Sequence, residues 1–364
     1  MVKVYGLNKF ILKFKLFFIY FFLPIIIILA CKGKYKNNGL SVTGKVGEIL
    51  VVCDQAIWDS EVKAHLDTQL TQFIMPYFPD VVTFELIHRT NKNFEGAIRR
   101  HRNILFISID PNSKEKSASI QSRKDVWANR QLVIDVKAKD YNQLLELCKD
   151  GMNDVHLQFD EIEWKRIMYN YMGQENRLTQ KKINKNFGIK LALPDASTIV
   201  SIRPNFYRLV LPAVSRPIEF VGTGTQDIGS VLTGIMIYQY DFIDSSQFIL
   251  ENLLQARDTM LRYNVPHEID GLYMGTQYNE FVFPEASTAF NFNKSIKGKE
   301  VRGMFQFTGN NINYTGGAFW EFHFIHPKSK KLICISGYVD APSTTSWTHP
   351  LREIQAIWKS IEIL

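Results

Sequence analysis

Ala318-Phe-Trp-Glu-Phe-His-Phe-Ile-His326, then Pro327-Lys-Ser-Lys330, then Lys331-Leu-Ile-Cys-Ile-Ser-Gly-Tyr338, decides the fold of this chain. Two apolar runs of strand length flank a short polar turn. A connection that short returns the second strand beside the first, and only an antiparallel pair closes this way. Working outward, a strand is expected at 303–307 and a helix at 351–361. Further upstream, the pattern predicts strands at 191–193, 198–203, 206–210, 234–240 and 280–283. A helix over 248–261 follows Ser245 or Ser246, either of which is a good cap. These elements make a second half, 191–364.

The first half, 45–190, follows a similar order. A strand is expected at 46–52, too apolar for an exposed edge. Trp58, Val62, Leu66, Leu70 and Phe73 fall at spacings of three and four, which predicts a helix over 57–73. Strands follow at 81–87, 104–109 and 131–136. A helix starts at Tyr141, runs through Leu144, Leu145, Leu147 and Cys148, breaks near Gly151 and resumes over 159–171. The expectation is an α+β fold of two similar, tightly joined halves, each a mainly antiparallel sheet packed with helices. No residue-level repeat accompanies the shared order.

The chain begins differently. Lys3, Lys9, Lys13 and Lys15 lead into Leu16-Phe-Phe-Ile-Tyr-Phe-Phe-Leu-Pro-Ile-Ile-Ile-Ile-Leu-Ala30, and Cys31 follows. The apolar run of about 15 residues is short of the ~20 that a spanning helix needs, and Pro24 interrupts it. A basic start, a short apolar run and Ile28-Leu-Ala-Cys31 make a bacterial lipoprotein signal. This reading gives a signal peptide at 1–30, acyl chains on Cys31 and a flexible Lys-rich tether over 31–44. A retained N-terminal anchor is the alternative. Both put the body outside the cytoplasm, tied to a membrane. The lysines after Cys31 favour the periplasmic face of the outer membrane, with the inner membrane as second choice.

Net charge is +7, but seven lysines before residue 40 carry all of it, and the rest of the chain is neutral. A body without basic excess excludes nucleic acid as a partner. Besides Cys31 there are Cys53, Cys148 and Cys334, in apolar strand-like or helix-like runs. Three cannot all pair internally, so they read as small buried hydrophobes with room for one bridge at most.

No motif specifies chemistry. Gly222-Thr-Gly-Thr225 lacks the Gly-Lys-Ser/Thr ending of a phosphate loop and reads as a surface loop. His323 and His326 are three apart on a strand and point to opposite faces, so no metal is expected there. Glu161 and Glu163 flank Ile162 beside Trp164, but residues two apart on a helix do not face each other; they read as a solvated face. There is no Gly-x-Ser-x-Gly elbow. Asp258-Thr-Met260 matches the short O-glycosylation pattern of exported Bacteroidota proteins. No catalytic residue and no cofactor is assigned; Glu300, Glu321 and Asp340 are the acids an enzyme would draw on.

Two stretches stand apart: Glu300-Val-Arg-Gly-Met-Phe-Gln-Phe307 and Tyr314-Thr-Gly-Gly-Ala-Phe-Trp320. Glycines there permit positive φ or close backbone approach. A hairpin turn is one reading. The other is a binding groove with Arg302, Gly316 and Gly317, lined by Trp320, Tyr338 and Trp347. It would suit a polar ligand with an apolar face.

At these stretches the chain resembles a family of Bacteroidota lipoproteins, domain of unknown function 4837. The resemblance also rests on Gly47-Glu-Ile-Leu-Val-Val52, Arg102-Asn-Ile-Leu105, Trp127-Ala128 with Gln131, Gly234-Ile-Met-Ile-Tyr238, Arg257-Asp258, Tyr273-Met274 and Gly337-Tyr-Val-Asp-Ala-Pro342. Two departures are Thr315-Gly-Gly-Ala-Phe319, where members often carry Met-Gly-Gly-Pro-Phe, and Met304 after Arg302-Gly303, where Trp is commoner. The resemblance implies an exported, lipid-anchored protein and supplies no activity. The expected function is a cell-envelope module that binds a ligand or partner, a protein or a glycan. A hydrolase of envelope polymers and a structural or assembly lipoprotein are the alternatives.

Overall fold

The computed structural model describes residues 39–114, 117–174, 176–212, 214–219, 226–310, 313–341 and 345–364. The leader 1–30, Cys31, most of the tether and Gly222-Thr-Gly-Thr225 lie outside the described residues.

The first half runs β1 (Glu48–Val52), α1 (Glu61–Leu70), β2 (Glu85–Arg89), β3 (Asn103–Ile109), β4 (Ser119–Lys124), β5 (Leu132–Ala138), α2 (Tyr141–Asp150) and α3 (Asn153–Tyr171). Its strands lie in the order β2-β1-β3-β5-β4. The protein is α+β in two halves, but this sheet is not mainly antiparallel. β1 is parallel to β2 and β3, and β3 is parallel to β5; β4 alone runs against its neighbour. The chain leaves β1 through α1 before returning as β2, a crossover that only parallel strands need. Ile49, Leu50, Val51 and Val52 are all buried, as are Leu132, Val133 and Ile134. Strands apolar on both faces are the mark of a covered parallel sheet.

One face packs against Val62 and Leu66 of α1, Leu144 of α2, and Val155 and Phe159 of α3. Phe94 closes the other, its ring edge-on to Phe106 and Trp127. Ser60 caps α1 and Asp140 caps α2, each side chain accepting a backbone N–H. Cys53 and Cys148 share the helix-covered core as free thiols, and burial pushes both up to about 12.

The second half begins before the expected residue 191, with α4 (Arg177–Phe187), whose Ile183 and Phe187 pack into its core. It continues through β6 (Thr198–Arg203), β7 (Phe206–Val210), β8 (Val214–Glu219), β9 (Gln226–Asp241), α5 (Leu250–Asn264), β10 (Leu272–Thr276), β11 (Glu285–Phe290), β12 (Lys297–Gly309), β13 (Asn313–Ile325), β14 (Lys331–Asp340) and α6 (Thr348–Lys359). Nine strands form one sheet around the path β10-β12-β13-β14-β9-β7-β6, with β11 on β12 and β8 on β9. Every pairing is antiparallel. The hairpin expected across Pro327–Lys330 is β13–β14, closed by the His326 N–H donating to Lys331 O at 2.8 Å.

Several expectations shift. Residues 280–283 form the loop before β11, because the pairing with β12 starts at Glu285. The helix expected at 248–261 begins at Leu250, since Asp244 caps a separate 3-10 turn over Ser245–Phe248 with a capping box to Gln247. Residues 191–193 are buried but lie outside the strands. Among the described residues the large sheets of the halves also differ in size, five strands against nine.

The nine-stranded sheet uses its two faces differently. Alternation puts Phe319, Cys334, Tyr338, Met236 and Tyr238 on one face, covered by Leu253, Leu254 and Leu261 of α5. Trp320, Phe322, Phe324, Ile333 and Ile335 occupy the other, covered by Leu351, Ile354 and Trp358 of α6 and joined by Ile183 and Phe187 of α4. Ile74, Tyr77 and Val81 from the first half enter this same core. Among the described residues, no helix is long and apolar enough to cross a membrane.

Candidate functional site

The six residues singled out from the sequence separate onto the two faces. Trp320 and Trp347 lie in the core under α6, with the Arg302 guanidinium 5.6 Å from the Trp320 ring centre. Tyr338 lies on the opposite face, and its hydroxyl accepts hydrogen bonds from Arg208 Nε at 3.0 Å and Nη2 at 2.8 Å. Gly316 and Gly317 mark close backbone approach. A Cβ at either position would overlap a carbonyl oxygen, that of Phe305 or of Val339. Tyr338 therefore cannot line one groove with Trp320 and Trp347, and all three rings are buried.

The acids disperse in the same way. Glu300, on the α6 side of β12, accepts from Ser287 Oγ at 2.8 Å. Glu321 is on the α5 side of β13 and fully enclosed. Asp340 ends β14, where burial pushes its carboxyl up. No two of the three share a face close enough to act on one bond. Glu161 is exposed and pairs with Lys165 at 2.5 Å, but Glu163 is not on a solvated face. It is buried against the first sheet, accepting from Arg102 Nε (2.8 Å), Asn103 Nδ2 (2.6 Å) and Arg166 Nη1 (2.9 Å).

His323 and His326 go to different partners. His326 Nδ1 accepts the Ser329 N–H at 3.0 Å and shapes the hairpin turn. His323 turns inward to a polar cluster beneath α5. There Arg257, without exposed surface, donates from Nε to Glu321 Oε1 (3.0 Å) and from Nη1 to Thr276 Oγ1 (2.9 Å). Its guanidinium lies 3.9 Å from the Phe319 ring centre, a cation–π contact without competing water. Glu321 Oε2 is 2.9 Å from His323 Nε2, which is 3.5 Å from Cys334 Sγ. Burial pushes the Glu321 carboxyl up, but Arg257 and His323 outweigh it and leave it below the usual range. Burial raises the Cys334 thiol well above its ordinary value. Tyr238 Oη and Ser336 Oγ face these atoms without a hydrogen bond of normal geometry. Ser336 still lies close enough to Glu321, and Tyr238 to Cys334, to affect their charge states.

Above this cluster α5 turns its next residue outward. Asp258 Oδ1 accepts from Thr276 N (2.8 Å) and Thr276 Oγ1 (2.6 Å), and Oδ2 accepts from Tyr278 Oη (2.7 Å). The carboxylate is fixed on an open cleft of about 390 Å³ between α5 and β10. Glu251, Gln255 and Arg262 line it along the helix; Tyr273, Tyr278 and Phe283 line it from the sheet side. Tyr278 is 53% exposed and Phe283 47%, their ring centres 6.2 Å apart. Burial and the hydrogen bond to Asp258 both push the Tyr278 hydroxyl up, so it stays protonated. Thr259, of the Asp-Thr-Met match, sits in mid-helix at this cleft and donates to Gln255 O at 2.8 Å.

A second cleft, about 340 Å³, lies between α3 and the edge of the large sheet, with Trp164, Phe292 and Lys359 among its walls. One of its two lysines is already engaged: Lys359 Nζ lies 4.5 Å from the Trp358 ring centre and donates to Phe290 O at 2.8 Å. The α5 cleft leaves two rings open beside a fixed carboxylate. That arrangement, apolar faces next to oriented polar groups, recognises a ring-shaped polar ligand. Sequence reading missed both layers of this site, although Arg257-Asp258 stood among the notable pairs.

Residues 176–360 match the family model described as Domain of unknown function (DUF4837), and residues 42–172 match that described as Domain of unknown function (DUF8532). No curated protein matches the chain. Among solved structures it is similar to the crystal structure of the Saccharomyces cerevisiae Ran-binding protein Mog1p. That likeness has 9% identity and a TM-score of 0.28 and covers 48% of this chain and 90% of that one.

Proposed function

The chain belongs to the family described as Domain of unknown function (DUF4837), and we propose that it is a lipid-anchored binding module of the cell envelope whose ligand seat is the cleft over α5. The anchor is supported by the basic start, the short apolar run and Ile28-Leu-Ala-Cys31. Several acyl chains on Cys31 would give stable membrane residence where one is marginal. Lys32, Lys34 and Lys36 suit a tether on the periplasmic face of the outer membrane, each adding roughly 1 kcal/mol of attraction to anionic headgroups.

The observation that carries the binding reading is the pairing of exposed Tyr278 and Phe283 with an Asp258 carboxylate held by three hydrogen bonds. A sugar ring has this complement: an apolar C–H face for the aromatic rings and hydroxyls for Asp258, Gln255 and Arg262. The ligand class is therefore an envelope glycan. Calorimetric titration of the full chain in detergent with oligosaccharide fragments of the envelope tests it. Saturable heat that falls at least tenfold in Tyr278→Ala and Phe283→Ala supports the cleft; equal binding by both variants would remove it. For the anchor, labelling with a palmitate analogue must disappear in Cys31→Ser.

A further inference from the structure

Glu321, His323 and Cys334 bring a carboxylate oxygen, an imidazole nitrogen and a sulfur within 4.8 Å of one another. The sheet itself makes the set. Glu321 and His323 are two apart on β13 and share a face, and Cys334 on β14 is the register partner of His323. The separations suit a tetrahedral ion. At ordinary bond lengths such an ion holds a nitrogen and a sulfur about 3.5 Å apart and a nitrogen and an oxygen about 3.3 Å apart. Here the distances are 3.5 Å and 2.9 Å. These two pairs need to move only a few tenths of an ångström around an ion, while the Glu321 and Cys334 atoms, within 4.8 Å, must sit about 3.5 Å apart.

The surroundings carry the second observation. Tyr238 is the register partner of Cys334 from β9, and Ser336 that of Glu321 from β14. Both side chains are completely buried, and neither hydroxyl makes a hydrogen bond of normal geometry, although Ser336 lies beside Glu321 and Tyr238 beside Cys334. Buried hydroxyls normally make well-aligned hydrogen bonds, so two poorly aligned ones converging on three potential ligands suit a shared electrophile between them. Arg257 holds Oε1 of Glu321 and leaves Oε2 facing His323, the outer support that ligating carboxylates commonly have.

We propose that Glu321, His323 and Cys334 bind one divalent ion of the zinc class, with Tyr238 or Ser336 offering the fourth oxygen, as a structural clamp in the second core. The mixed oxygen, nitrogen and sulfur set selects zinc or cobalt over magnesium and calcium, which take oxygen alone. As the sulfur–metal bond forms, Cys334 gives its thiol proton to solvent. The Glu321 carboxylate and the thiolate then neutralise the ion, while Asp258, 3.5 Å away, balances Arg257. Enclosure means that the ion enters as the chain folds. The site shares no ligand with the glycan cleft, so either can fail alone.

Cobalt(II) is the probe. The full chain, without an affinity tag, is unfolded with chelator in detergent and refolded with cobalt. One bound cobalt with a thiolate-to-cobalt charge-transfer band is expected, together with a higher melting temperature than the chelated protein. Cys334→Ser must lose the band, and Cys148→Ser, altered in the other core, must keep it. Where Cys334→Ser fails to refold, Glu321→Gln, which keeps the shape, must bind cobalt at least tenfold more weakly. Wild-type protein that refolds without taking up cobalt, or a band that survives in Cys334→Ser, overturns the proposal.

Discussion

At the scale of the residue, what a side chain does depends on the face it reaches. His323 tested against His326, three positions on, gives opposite faces and no shared partner. Tested against Glu321, two positions back, the same alternation gives a shared face, and the two meet at 2.9 Å. That pair was legible. Cys334 was not, because register across a hairpin is invisible until the turn is placed. Gly316 and Gly317 show the reverse: the sequence says that a side chain is unwelcome but not why. The reason is the nearness of two carbonyl oxygens on the flanking strands. Backbone held by ladders on both sides cannot yield as a flexible side chain would. Gly317→Ala should therefore destabilise the chain by about 1–3 kcal/mol or more, the range for overpacking. Denaturant unfolding would register it, and an unchanged midpoint would mean that β13 and β14 are looser than their register implies.

At the scale of the element, hairpin logic was right where hairpins exist and wrong where it was extended. β13–β14 follows from its turn. The first sheet follows from what lies between its strands. α1 separates β1 from β2, and the strands of its centre are apolar without alternation, a signature already present in Gly47-Glu-Ile-Leu-Val-Val52. α4, β4 and β10 escaped because their composition is polar or their runs short, and tertiary pairing decides such segments. α3 carries the sharpest misreading, since Glu163 sits on a helix whose pattern suggested solvent. It is there for Arg102 and Arg166, which hold the helix to the start of β3. Burial pulls the Arg166 guanidinium down to about 10 in spite of Glu163. Removing the acid strands two buried cations, so Glu163→Ala should cost about 3–5 kcal/mol. Glu163→Gln keeps an acceptor and should lose less. Equal losses in the two variants, read by urea unfolding, would show that the charge, which both lack, rather than shape or an acceptor is what Glu163 supplies.

At the scale of the whole molecule, the two faces of the large sheet divide the labour. The α6 face is spent on joining the halves, which leaves the α5 face to carry the cleft. The joint is specific as well as apolar. Arg352, 1% exposed, donates to Asp160 Oδ1 at 2.6 Å and to Thr83 O at 3.0 Å, with its guanidinium 4.8 Å from the Phe84 ring centre. Thr348 Oγ1 donates to Val82 O at 2.9 Å, and Tyr77 Oη reaches across to Phe319 O at 3.0 Å. The last contact links the joint to the far sheet at the strand that carries Glu321. Halves that share a core cannot expose it one at a time without losing both sides of the contact. The body should therefore unfold in a single calorimetric transition. Arg352→Ala removes the cation on which Asp160 and Thr83 converge and leaves both acceptors facing a gap. Its expected effect is a lower first transition and the appearance of a second, as the halves melt separately. A single transition in Arg352→Ala, shifted but not split, would mean that the apolar core around Ile74, Tyr77 and Val81 couples the halves without the arginine.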